Sequence, residues 1–188
     1  MAAIGFAVVA GFVALHLVNR LTIDSVLLNI NEEQNIPSWG STFVFAVAGL
    51  IALVAGAERR AWLAVGVVML AFSLDDVAML HERLEDETDE GVALLAIEPL
   101  VALAVVAVFV LAARTVTKLS RYLLLGGVLA LFVAQGTSSV GFLRDELGIP
   151  LGLLVIVEEG AELLSGVLVA AAAVDPALSA LNALCRRV

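Results

Sequence analysis

One cysteine, one lysine and two histidines occur in the 188 residues, and each scarcity closes off a class of function. Cys185 alone excludes an internal disulfide framework and any site built from several thiolates. Ten Lys and Arg stand against nineteen Asp and Glu, a formal net charge of -9. The basic clusters that grip phosphate backbones are therefore missing, which excludes nucleic acid as a partner. Met1 runs into an apolar stretch without a basic leader, so a retained first helix is expected rather than a cleaved signal peptide.

Apolar side chains fill the space that charge leaves. Hydrophobic residues make up 62% of the chain and the mean hydropathy is +1.07, far outside the range of soluble globular domains. Apolar runs at residues 42–57, 61–74, 92–113 and 151–174 approach or reach the roughly 20 residues that cross hydrocarbon. The expected fold is all-α: one polytopic transmembrane domain spanning residues 1–188, with the lipid bilayer as solvent. Six spans are expected at residues 3–18, 43–57, 61–81, 92–113, 122–142 and 151–174.

Punctuation residues agree with these spans. Residues 29–40, with Glu32, Glu33, Pro37 and Trp39, read as a surface connector. Pro150 suits the first turn of the last span, and Asp175-Pro176 is expected to end it. Trp39 and Trp62 read as interfacial anchors. Arg59, Arg60, Arg114, Lys118, Arg121, Arg186 and Arg187 all fall in connections on one side of the expected bundle. Arg20, Arg83 and Arg144 fall on the other, among Glu32, Glu33, Glu85, Asp86, Glu87, Asp89, Glu90, Asp145 and Glu146. Positive charge favours the cytoplasmic side, so a plasma-membrane protein with both termini in the cytoplasm is expected.

Acidic residues inside the apolar spans carry the functional signal. The third span ends Ser73-Leu-Asp-Asp-Val-Ala-Met-Leu-His-Glu82, which puts Asp75 and Asp76 about two turns below its outer end. An Asp at a helix centre costs about 2.5 to 3.5 kcal/mol on insertion scales, so a partner or a purpose is expected. Asp75 and Glu82 share a face, with Asp76 and His81 to either side. In the last span Glu158, Glu159 and Glu162 fall within one sector, and Ser165 continues it. The two clusters lie at similar depth and can face each other. Glu98, Gln135, Thr137, Ser138 and Ser139 fall nearby, and His16 is a weaker candidate.

Ionised and unpaired carboxylates repel strongly in a low dielectric, so protons or a bound cation must neutralise them. A divalent metal held by Asp75, Asp76, His81, Glu82, Glu158, Glu159 and Glu162 is the expected answer. Carboxylates with one imidazole suit Fe, Mn or Zn; an all-oxygen set without His81 suits Ca or Mg. Interhelical hydrogen bonding of protonated acids, or a proton pathway, are the competing readings.

Three elements resemble an uncharacterised family of bacterial and archaeal multipass membrane proteins. They are Asn35-Ile-Pro-Ser-Trp39 after Glu33, Ser73 to Asp76 followed by His81-Glu82, and the Glu158 to Glu162 helix. Asp76 stands where that pattern usually has Glu, shortening one ligand without removing its charge. The resemblance implies a helical bundle with grouped acids and brings no activity with it. Glu158-Glu-Gly-Ala-Glu162 is also similar to the Arg-Glu-Gly-x-Glu helix of iron permeases, with Glu158 replacing the arginine. Intramembrane hydrolases of the ceramidase and adiponectin-receptor type share Ser, Asp and His, but use several histidines.

Metal-ion handling, by transport or sensing, is the function these residues suggest. The alternatives are an intramembrane metalloenzyme acting on a lipid-like substrate and an accessory subunit of a larger membrane complex. A homo-oligomer remains open.

Overall fold

The computed structural model describes residues 36–78, 91–139 and 151–187, together with Ala7, Ala10, Gly11, Ala14, Leu15 and Val18; at the helix margins 36–38, 91–98, 138–139 and 151–152 only the backbone is described. Five helices hold nearly all of these residues: α1 (Ile36–Gly56), α2 (Ala61–Ala78), α3 (Gly91–Ala113), α4 (Lys118–Ser139) and α5 (Leu151–Cys185). No strand occurs among the described residues. The six isolated positions of the expected first span are helical and exposed. Stretches at Trp39–Gly56, Ala61–Ala78 and Lys118–Thr137, in α1, α2 and α4, are each long and apolar enough to cross a membrane. Pro99–Ala113 in α3 is a shorter apolar stretch.

Helix α1 is the centre of the arrangement, packing on one side against α2 and on another against α5. Helix α5 also packs along α4, and α3 bridges α2 and α4 more loosely. Small residues permit the closest approaches. A Cβ added at Gly66 would lie 2.7 Å from the Leu53 side chain and 3.0 Å from the Gly49 carbonyl oxygen, so α1 and α2 cross almost backbone to backbone. At Gly166 an added Cβ would lie 2.7 Å from Val44, which marks the matching approach of α5 to α1. The apolar core gathers toward the end where α1 turns into α2 and α3 into α4. Trp62, Phe109, Met69 and Leu124 are fully buried there, with Val169, Ala172 and Ala173 of α5 packed among them.

Four expectations are corrected. Residues 36–40 belong to α1 and not to a surface connector, because Pro37 in a first turn forgoes an N–H that has no helical partner there. Helix α4 starts at Lys118, not at 122, because Thr117 caps it: the Ser120 N–H donates to Thr117 Oγ1 at 3.4 Å. Helix α5 runs past Asp175-Pro176 to Cys185. Pro176 is fully buried there, and Ala177 and Ala180 are buried beyond it, so packing outweighs one missing helical hydrogen bond. Trp62 is not an interfacial anchor, since it is fully buried and its Nε1–H donates to Thr115 Oγ1 at 3.2 Å. Trp39 is 68% exposed. The described part of α2 ends at Ala78, and residues 79–81 and 140–142 of the expected spans lie outside the described residues.

Candidate functional site

Asp76 sits near the end of α2 and points to the start of α1. Its Oδ2 accepts hydrogen bonds from Ser41 Oγ at 2.8 Å and Thr42 Oγ1 at 3.0 Å. Ser73, one turn earlier on α2, donates through Oγ to the Thr42 carbonyl at 3.0 Å. The two helices are antiparallel, which is why the last turn of one meets the second turn of the other. A carboxylate on an apolar helix is thereby given two hydroxyl donors from its neighbour, the satisfaction a buried polar group requires.

Register then fixes what lies on the other side of α1. Phe45 touches the Gly166 position, and Ser179 Oγ donates to Glu58 Oε2 at 3.2 Å; each pair is separated by 121 residues. Helices α1 and α5 therefore run parallel and in step, and the same offset puts Glu162 level with Ser41. Asp76 and Glu162 thus approach the same turn of α1 from two sides. Asp76 and Glu158 lie near enough for their charges to act on Glu159, as do Asp76, Glu159, Glu158 and Asp75 on Glu162. Glu158, Glu159 and Glu162 are partly buried, as are Asp75 and Asp76.

Helix α4 reaches the same level from the opposite direction. An added Cβ at Gly127 would lie 2.9 Å from Val169, and Ser120 Oγ donates to Asp175 Oδ2 at 3.4 Å, so α4 and α5 are antiparallel. That register carries Gln135 and Thr137 near the level of residues 158–162. The Thr137 hydroxyl donates to its own helix, at the Val133 carbonyl, and Gln135 is exposed.

Charge is divided between the two ends of the helices. Every described basic residue lies at the far end: Arg59 and Arg60 beyond α1, Arg114, Lys118 and Arg121 around the α3–α4 turn, and Arg186 and Arg187 beyond α5. Among the described residues no arginine or lysine lies at the acidic end. Among them, too, no three His, Cys, Asp or Glu side chains are arranged to hold a metal ion. His81 and Glu82 lie outside the described residues, as do His16, Glu33, Arg83, Arg144 and the acidic residues 85–90.

Ser41 and Thr42 are the residues that sequence reasoning missed. Two adjacent hydroxyls entering an apolar run were the available signal, but only the fold reveals that Asp76 is their partner.

The chain has no match among curated proteins or among solved structures. Residues 1–175 match the model of a domain of unknown function, DUF8692, and the chain belongs to that family.

Proposed function

We propose that this chain is a plasma-membrane protein of about six spans, with both termini cytoplasmic, whose acidic end binds a cation. The observation that supports this is the approach of Asp76 and Glu162 to one turn of α1. Carboxylates so grouped require a compensating positive charge. Asp75, Asp76, Glu158, Glu159 and Glu162 supply it with oxygen ligands, and His81 and Glu82, a few residues further along the same stretch of sequence, complete the proposed metal-binding set. The metal is divalent, Fe, Mn or Zn where His81 takes part and Ca or Mg where it does not.

Sensing or retention of the cation is favoured over passage through the bundle. Below the acidic turn α5 presents Val169, Ala172 and Ala173, all fully buried, and α2 presents Met69 and Val65, so the polar surface stops midway. Metal analysis of the purified full chain tests the proposal. Roughly one metal ion per chain is expected in the parent, with loss of most of it in an Asp76→Asn, Glu162→Gln double variant. Equal and negligible metal in both sinks the metal site.

A second reading replaces the metal by protons, because acids inside apolar helices commonly mark proton relays. In that case the parent carries no metal, and a pH-dependent change in the infrared carboxyl band disappears in the double variant.

A further inference from the structure

At the basic end, away from the acidic cluster, a cleft of about 440 Å³ opens between the α1–α2 turn and the end of α5. Glu58, Ser179, Asn182, Ala183, Arg186 and Arg187 line it. Its volume falls in the range of about 300–1,000 Å³ typical of small-molecule sites. The lining combines two guanidinium groups with one carboxylate, and Ser179 Oγ fixes that carboxylate at 3.2 Å. A guanidinium pair recognises phosphate through paired N–H donors. A carboxylate in the same cleft disfavours a purely anionic ligand and favours one that also carries an ammonium group.

The opposite face of α5 sets the depth of this cleft. Leu181 and Leu184 are 46% and 47% exposed, and their spacing places them on the side of the helix away from Ser179 and Arg186. Such a helix end, apolar on one face and basic on the other, lies at the boundary between hydrocarbon and headgroups. Arg59, Arg60, Arg114, Lys118 and Arg121 cluster at the same end, as expected beside a cytoplasmic leaflet.

We propose that this cleft binds the phosphate–ammonium zwitterion of an aminophospholipid headgroup, with Arg186 and Arg187 on the phosphate and Glu58 on the ammonium. The assignment rests on the membrane placement proposed above and is independent of the cation site. A quaternary ammonium has no N–H to give Glu58, and a glycerol headgroup has no cation, so both should bind less tightly.

The test uses the full chain, purified in detergent and stripped of lipid, with retention of added lipid read by native mass spectrometry. Phosphatidylethanolamine is expected to be retained at least about tenfold better than phosphatidylcholine or phosphatidylglycerol, the loss expected for one charge-assisted hydrogen bond. Glu58→Gln should reduce that preference to about one, while an Arg186→Gln, Arg187→Gln variant should lose retention of all three lipids. The three positions are exposed, so their replacement leaves the core intact. Equal retention of the three lipids by the parent overturns the proposal. Displacement of the lipid by equimolar soluble phosphoethanolamine overturns the lipid source and assigns the cleft to a free zwitterion. A chain that remains dispersed without detergent refutes the membrane placement itself, a result distinguishable from a missing headgroup preference.

Discussion

The two ends of the α1–α2 hairpin are held together by opposite means. Where α1 turns into α2, Trp62 is fully buried, its indole N–H bonds Thr115, and Arg59 donates to the Thr115 carbonyl. Arg121 braces the α3–α4 turn from within, its Nε donating to the Ala113 carbonyl at 2.9 Å, so the two turns are joined by apolar contact and by the donors of Trp62 and Arg59. At the other end, the described bonds between α1 and α2 are those of Ser41 and Thr42 to Asp76, and of Ser73 to Thr42. Among the described residues the buried apolar core gathers toward the basic end, and the grouped acids lie at the other.

Removing the apolar fastening should do the most damage. Trp62→Ala is expected to lower the unfolding free energy of the detergent-solubilised chain by about 3–5 kcal/mol, as for other fully buried large side chains. A loss below about 1 kcal/mol in a denaturant titration would abolish the contrast between the two ends. Thr42→Val tests the polar end, because it keeps the shape and deletes one donor to a carboxylate. A loss of about 1.5–3 kcal/mol is expected, with recovery in Thr42→Ser, which restores the hydroxyl. Full stability in the valine variant would mean that the Asp76 contact contributes nothing to holding the hairpin closed. The smallest effect belongs to Thr117→Ala, which removes the α4 cap and should cost about 1 kcal/mol without disturbing either end of the hairpin.

Composition made the all-helical class legible, and the boundaries of α3 were readable to within one residue because an apolar run ends sharply at Arg114. The path of α5 beyond Pro176 was not. A proline after an aspartate signals a stop wherever only local preferences act, and here the burial of Pro176, Ala177 and Ala180 overrules it. Trp62 misled for a related reason: a tryptophan beside two arginines looks interfacial until Thr115, more than fifty positions away, is seen to accept its N–H. Helical spacing alone grouped Glu158, Glu159 and Glu162, since residues three and four apart share a face. Their approach to Asp76 depends on the parallel step of α1 and α5, a long-range register that no local pattern encodes.

The near-contact of backbones at Gly49 and Gly66 has a mechanical consequence. Crossing this closely at mid-length, and pinned above and below, α1 and α2 travel as a single stiff unit that carries Asp76 with it. A backbone displacement of α5 that draws Glu162 toward Asp76 or away from it would slide past that unit at the close approach of Gly166 to Val44.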